Sequence, residues 1–537
     1  MCLKIWYFIL DATDAFCNIG FMDIRISKIL VSTFAACLAL SASAVSAATF
    51  PKSEAEDTEK LMGKGYWELW NPQVQKKIDA DIEKNRKADA EINLGEPAPD
   101  GDVKVEQIKH DFIFGAHIFN FNQLGTPERN AKYKALYGSL FNSATVAFYW
   151  KVFEMQPNRP RFVEEYWDTE EFWNNCPNPA YQPHWRRPAT DPVIEYCNKA
   201  GIRVHGHPLV WGNQMWHYPQ WIKSFMTPEE KAAYDNLKPE PKPTRDIDPK
   251  SSRSISQEEA EKTFAHFGEK ISEFYAKRIS EIAARYGDKI QSYDVVNESA
   301  TDFSEGVMVN GSKITRSCYG FMQGDYAFDA FNLAQKYLPV SAKLNINDYK
   351  VDKDYVAQIK DLQKRGARID IAGMQMHLFN PKESAEIAKG KKTQCPEVVF
   401  GSINTVAATG LPIHMSEITI TAPGTTKRDW DIQAVIAQNL YRAWFSHPSV
   451  MGITWWNVVD DCGAPGEPSM SGIFTRDMQP KSAFYALDNL INKEWKTKTT
   501  LKPDKNGKIT FRGFKGLYKI TWVDKYGRQR EMQYHLK

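Results

Sequence analysis

The sequence predicts an α/β chain folded as a (β/α)8 TIM barrel, with an N-terminal helical extension and a small C-terminal β appendage. Three observations predict it. Eight short apolar runs recur between residues 110 and 490, separated by amphipathic stretches. Polar or acidic residues end six of those runs, as they do where barrel strands converge on one face. The rival, an open doubly wound sheet, usually carries a Gly-rich phosphate turn after its first strand, and Phe114-Gly115-Ala116-His117 is not one.

The eight candidate strands are Phe112–Ile118, Ser143–Phe148, Ile202–His207, Ser292–Asn297, Ala342–Asn347, Asp370–His377, Pro412–Glu417 and Gly452–Trp456. Helical periodicity lies between them, as in Ala260–Tyr286, Ala327–Lys336, Tyr355–Arg365 and Ile432–Ser446. The Pro- and charge-rich run Lys238–Lys250 reads as a loop.

Four regions are expected along the chain: 1–48 a signal region, 49–100 a helical extension, 101–494 the barrel and 495–537 a β segment. Met22–Ala48 has a short basic region at Arg25 and Lys28, an apolar run Ile29–Leu40, and small-residue cleavage sites across Ala42–Ala47. The stretch before Met22 fits no targeting pattern and reads as an over-extended start. The second half of the apolar run is mostly Ala and Ser, too weakly apolar for a bilayer core. Cys37 follows Phe34-Ala35-Ala36, a poor lipidation site, so a cleaved signal and a secreted or periplasmic protein are expected. Lys76–Asn93 is charged, with Ile78, Ile82 and Ala88–Ile92 expected as a helical docking face. Residues 495–537 show strand periodicity, with turns at Asp504–Gly507 and Asp524–Gly527, and an expected pairing with Val103–Ile108.

Five cysteines follow the signal region: Cys176, Cys197, Cys318, Cys395 and Cys462. Their irregular spacing contains no Cys-x-x-Cys pair and supports no zinc site. An exported chain has room for one or two disulfides, and the odd count leaves a thiol over. Lys+Arg 68 against Asp+Glu 66 excludes a strongly basic nucleic-acid binder. Sixteen Trp, 23 Tyr and 29 Phe suit sugar stacking or a large aromatic core equally.

The chemistry rests on two carboxylates. Glu298 ends the fourth strand and Glu417 the seventh. A pair meeting across a barrel mouth suits glycoside hydrolysis, which needs a proton for the leaving oxygen and a nucleophile or base on the other side. Asn297, beside Glu298, is placed to bond the sugar hydroxyl adjacent to the reacting carbon. His205-x-His207 also fits a barrel metal pair, but no further ligand set is evident, so neither metal nor cofactor is expected.

The sequence resembles glycoside hydrolase family 10, the (β/α)8 xylanases. The segments that carry the resemblance are His205-Gly206-His207-Pro208-Leu209-Val210-Trp211-Gly212-Asn213-Gln214, Tyr293-Asp294-Val295-Val296-Asn297-Glu298, Asn347-Asp348-Tyr349, Gly373-Met374-Gln375-Met376-His377-Leu378, Leu411-Pro412-Ile413-His414-Met415-Ser416-Glu417 and Gly452-Ile453-Thr454-Trp455-Trp456. They occur in family order across the barrel. The resemblance implies that Glu298 is the acid/base and Glu417 the nucleophile of a retaining double displacement. It implies that His377 bonds the nucleophile, and that His207, Trp211, Asn297 and Trp456 line the −1 sugar subsite. It implies a sugar-binding Lys151, a polar Gln375 beside the nucleophile and, more weakly, a role for Gln214. A polysaccharide substrate of the xylan type and a monomeric enzyme follow from it.

The departures are specific. Ala147-Phe148-Tyr149-Trp150-Lys151 stands where the family usually has Glu-Asn-Glu-Met-Lys. Glu417 precedes Ile418-Thr419 rather than Leu-Asp, Ala464 replaces a second Trp, and His205 replaces an Arg. An intact catalytic pair in an altered sugar-holding shell implies a changed glycan preference: a substituted xylan or another β-linked glycan. A non-hydrolytic glycan-binding protein on the same barrel is the alternative from another class.

Overall fold

The computed structural model describes residues 58–95, 101–163, 188–213, 216–236, 257–304, 307–308, 325–464 and 466–537. Two strands precede the barrel, β1 (Lys87–Asn93) and β2 (Val103–His110). The barrel itself is built from β3 (Ile113–His117), β4 (Ser143–Ala147), β5 (Arg203–His207), β7 (Ser292–Asn297), β10 (Lys343–Asp348), β11 (Ile371–Leu378), β12 (Ile413–Ile420) and β13 (Val450–Trp455). All eight pair in parallel, and the ring closes because β10 pairs with both β7 and β11 while β13 pairs with β3. A two-residue strand, β6 (Val210–Trp211), extends beside β7, and a hairpin of β8 (Phe303–Ser304) and β9 (Val307–Met308) follows it. The expected eight strands are these eight, each displaced by at most a few residues.

The helices begin where short polar side chains satisfy their first free N–H groups. Asp325 caps Tyr326–Tyr337, Asp352 caps Lys353–Lys364, and Thr426 with Asp429 forms a capping box at Lys427–Ser446. The expected helix Ala260–Tyr286 is two helices, Gln257–Thr263 and Ala265–Tyr286, divided at Phe264.

Inside the barrel the residue choice is unusual. Barrel interiors are commonly filled by bulky branched side chains. Here β5 and β7 point His205, Ser292 and Asp294 inward on their period-two faces, and β12 adds His414, whose Nε2 lies 2.8 Å from Thr454 Oγ1. Burial pushes the His414 imidazole down to about 3, so it is neutral and packs as a polar core residue.

The N-terminal extension departs from expectation. Helix Pro72–Arg86 packs Ile78 and Ile82 against Lys427–Ser446, and Arg86 donates to the Val450 carbonyl at 2.7 Å. Residues 87–93, expected to continue that helix, form β1 instead. The run alternates, burying Ala90 and Ile92 and exposing Asp89 and Glu91, and it pairs antiparallel with β15 (Lys508–Phe514). The strand β2 pairs with the C-terminal segment, as expected for Val103–Ile108: it lies between β14 (Lys498–Leu501) and β16 (Gly516–Val523), and β17 (Gln529–Leu536) completes that sheet. Val103, Val105, Ile509, Tyr518 and Ile520 form its core, separate from that of the barrel.

Cys197 and Cys395 are buried thiols and Cys462 is buried. Cys176, Cys318, Gln214, Met22–Ala48 and Lys238–Lys250 lie outside the described residues. Among the described residues no helix is long and apolar enough to cross a membrane.

Candidate active site

Strand register assembles the polar cluster at the C-terminal face. Asn297 on β7 lies opposite Asn347 on β10, and Gln375 on β11 lies opposite Glu417 on β12. Register shifts fall between Met374 and Gln375 and between Met415 and Ile418, immediately beside the functional side chains. Such bulges re-aim the residues that follow them. Gly373 makes room: a Cβ there would stand 2.5 Å from Asn347 Oδ1.

The two glutamates face one another across a single amide. Gln375 Nε2 lies 3.1 Å from Glu298 Oε1 and 3.2 Å from Glu417 Oε1. Those two oxygens are therefore at most about 6 Å apart, below the roughly 6.5–9.5 Å that leaves room for an intervening water. Glu417 is 5% exposed, and its Oε1 accepts Asn347 Nδ2 at 2.6 Å as well as Gln375. Its Oε2 has a longer approach, to His377 Nε2 at 3.5 Å.

Glu298 sits at φ +58°, in the left-handed region that costs a non-glycine residue strain. The turn is held on three sides. The Glu298 N–H donates to the Asn347 carbonyl at 2.7 Å, and the Ala300 N–H to Asp348 Oδ2 at 2.8 Å. Ser299 Oγ bonds the buried Gln358 amide. Trp211 Nε1 donates to Glu298 Oε2 at 3.1 Å. Burial first, and then the charge of Glu417, hold the Glu298 carboxyl above its ordinary range.

The histidines form a buried chain. Asp294 Oδ2 accepts His205 Nε2 at 2.9 Å and His207 Nδ1 at 2.8 Å. Burial alone would raise the Asp294 pKa; the two imidazoles outweigh it and hold the carboxylate ionised. The remaining nitrogen of His207, Nε2, faces Tyr149 Oη at 3.1 Å and Glu417 Oε1 at 3.6 Å. Burial opposes a charge on His207, but Glu417 and Asp294 together raise its pKa. His377 stacks on Phe379 at 4.5 Å, and its Nδ1 lies 2.9 Å from Thr419 Oγ1. The hydroxyl thus stands where the resemblance implies a carboxylate.

Trp456 is buried and meets His207 edge-on at 5.4 Å. Asn297 Oδ1 accepts from Asn347 at 2.8 Å and from Gln375 at 3.3 Å. Lys151 lies in the short helix Trp150–Phe153 after β4, with its N–H donating to the His217 carbonyl; burial lowers its ammonium pKa. The structure therefore gathers Glu298, Glu417, Asn297, His207, Trp211, Gln375 and His377 into one bonded cluster, with Trp456 packed against it. His205 and His207 both spend a ring nitrogen on Asp294, and among the described residues no group of three His, Cys, Asp or Glu is arranged to hold a metal.

Four further residues with no individual role assigned from sequence belong to the site, although Asp294, Asn347 and Asp348 stand in the segments that carry the family resemblance. Asn347 bonds Glu417 and Asn297 and also accepts the Ser416 hydroxyl. Asp294 joins two histidines, Asp348 anchors the strained turn, and Tyr149 touches His207. The available signal was period two: Asp294 shares the inward face of β7 with Ser292, and Asn347 matches Asn297 in register.

A barrel mouth with two carboxylates this close, one held above its ordinary range, has the arrangement that glycoside hydrolysis needs. Residues 105–490 match the Glycosyl hydrolase family 10 model, and the chain belongs to that family. It is 24% identical over 460 residues to the anti-sigma-I factor RsgI6 of Acetivibrio thermocellus, covering 84% of this chain and 46% of that protein. It is 25% identical over 307 residues to endo-1,4-beta-xylanase A of Thermoanaerobacterium saccharolyticum, covering 55% of this chain and 22% of the relative. The chain thus spans less than half the length of these two relatives. Among solved structures it resembles native xylanase 10B of Thermotoga maritima, with 19% identity, a TM-score of 0.48 and coverage of 72% of this chain and 96% of that one.

Proposed function

We propose that the protein is an exported retaining glycosidase acting on β-1,4-linked polysaccharide of the xylan type, with a preference shifted toward a substituted xylan or a related β-glycan. The observation that carries this reading is the Gln375 amide bonded to both Glu298 and Glu417. It sets a spacing suited to direct attack, for which about 5–5.5 Å is typical. Endo-1,4-beta-xylanases among the relatives support the substrate class. The Met22–Ala48 pattern supports export.

Glu298 is the acid. Its raised pKa keeps a proton available for the leaving oxygen, and the Trp211 indole fixes the orientation of its carboxyl. Glu417 is the nucleophile. Asn347 and Gln375 hold Oε1, which leaves Oε2 to attack the sugar carbon. When the covalent intermediate forms, Glu298 is left ionised and takes a proton from the incoming water. His377 and His207 flank the nucleophile, Asn297 meets the adjacent sugar hydroxyl, Trp456 lines the −1 subsite, and Lys151 is a further sugar-binding side chain.

The altered preference rests on Ala147, Phe148 and Thr419, none of which offers a carboxylate to sugar or histidine. The altered sugar-holding shell at Ala147, Phe148 and Thr419 favours a second reading, glycan binding without turnover on the same barrel. A panel of linear xylan, arabinose- or glucuronate-substituted xylan and mixed-linkage β-glucan separates these. Reducing-sugar release that is fastest on a glycan other than linear xylan is the expected result. Fastest release from linear xylan overturns the shifted preference, and no release from any glycan, with binding retained, overturns the hydrolase reading.

A further inference from the structure

We propose that Tyr149 closes the glycone side of this site, so that the protein holds a single sugar there and cleaves from a chain end. The proposal rests on the hydrolase reading above. The end of β4 presents little for a sugar to bond. Ala147 offers a methyl group. Phe148 is fully buried, with its ring turned into the core against Phe153 at 5.4 Å and Tyr286 at 6.1 Å. Apart from Lys151 in the helix that follows, the polar group that this segment brings to the cluster is the Tyr149 phenol, 3.1 Å from His207 Nε2.

The ring of Tyr149 is fixed by its neighbours. It meets Phe119 at 6.1 Å and 81°, Trp211 at 5.8 Å and 64°, and His207 at 5.3 Å and 72°. Trp456 in turn meets Phe119 at 5.3 Å and 81°. Phe119, Ala147, Tyr149 and Trp456 form an apolar cluster of their own, distinct from the barrel core. Tyr149 is 6% exposed and Trp456 3%, so this is a packed wall rather than a pair of mobile side chains.

The leaving group departs toward Glu298 on β7. In the ring β13 stands opposite β7, and the glycone is placed on that side, against the wall that Trp456, Phe119 and Tyr149 form after β13, β3 and β4. A pyranose chain carries hydroxyls along both edges and C–H groups on its faces. A groove that admits a second glycone sugar must pair those hydroxyls, because buried unpaired polar groups are costly. Ring edges pair none of them. The phenol lies within reach of a hydroxyl on the reacting sugar and the wall stops the next one, which makes Tyr149 a specificity-determining residue.

Matched nitrophenyl glycosides test this. Turnover of the β-xylobioside is compared with that of the β-xyloside, and turnover of the β-cellobioside with that of the β-glucoside, each as kcat/KM. A second glycone sugar that finds a subsite raises kcat/KM through its binding energy. The expected ratio is within about threefold of one for the wild type and for Tyr149→Phe, and rises about tenfold or more in Tyr149→Ala, where the wall is opened. Early products from xylohexaose provide a readout on the unaltered protein, and release of single sugars is expected. A wild-type ratio clearly above about threefold, or mid-chain products, overturns the proposal while leaving the hydrolase reading standing. No turnover of any aryl glycoside, oligosaccharide or polysaccharide overturns both.

Discussion

Replacing Gln375 by alanine removes the amide that bonds both glutamates. Gln375 Nε2 is 3.1 Å from Glu298 Oε1 and 3.2 Å from Glu417 Oε1. A hydrogen bond to a charged group contributes about 1.5–3 kcal/mol. With both carboxyls ionised and their oxygens no more than about 6 Å apart, the repulsion is at least about 3 kcal/mol at an effective dielectric of 20. Losing one such bond in the transition state lowers kcat/KM by about 10- to 100-fold. The pH profile carries a separate signature. The Gln375 bond lowers the Glu298 pKa against burial and the Glu417 charge, so its removal moves the basic limb of the kcat/KM profile upward. Initial rates on an aryl β-glycoside across pH provide the assay, with thermal unfolding as a control for folding. A basic limb that moves down, or a kcat/KM within about twofold of wild type, refutes the shared-amide reasoning.

Glu298→Gln is expected to lower kcat by about 10²–10⁴-fold on a glycan, and much less on a dinitrophenyl glycoside whose leaving group needs no proton, with glycan binding kept. An equal loss on both substrates would show that Glu298 is not the proton donor. Thr419→Val removes the partner of His377 Nδ1 while keeping the buried volume, and is expected to lower kcat about 3- to 10-fold with little change in KM; an unchanged kcat would show that the hydroxyl does not position the ring. Asp348, fully buried, has its carboxyl pushed up to about 8. Between the unfolded value of about 3.9 and that folded value, the native chain retains a proton that the unfolded chain has released, so stability falls as pH rises, by up to about 1.4 kcal/mol per pH unit. Denaturant unfolding of Asp348→Asn between pH 4 and 8 should show a flatter dependence than wild type, and parallel curves would contradict the assignment.

The barrel was legible because its strands are short apolar runs ending in polar residues, a pattern set by burial on both faces and exposure at one end. Glu298, Glu417, Asn297, Gln375 and His377 stand at such ends, and local sequence suffices to place them there. What local sequence does not carry is register. The bulges beside Gln375 and Glu417 arise from pairing between strands distant in the chain. The same holds for Asn347, which reaches Glu417 across β11, and for Asp294, whose role depends on two histidines from another strand. Residues 87–93 were misread because the apolar spacing of helix Pro72–Arg86 runs on into them without a break signal. The competing influence, pairing with β15, comes from more than 400 residues away.

The central claim is that Glu417 attacks the sugar and carries it as a covalent intermediate. The direct measurement is intact-mass and peptide analysis after incubation with a 2,4-dinitrophenyl 2-deoxy-2-fluoro-β-glycoside of a sugar the protein turns over, since the fluorine slows release of the intermediate. One adduct per chain, on the peptide that contains Glu417, is the result this account predicts. An adduct on a different carboxylate, or none while dinitrophenolate release continues unabated, would contradict it.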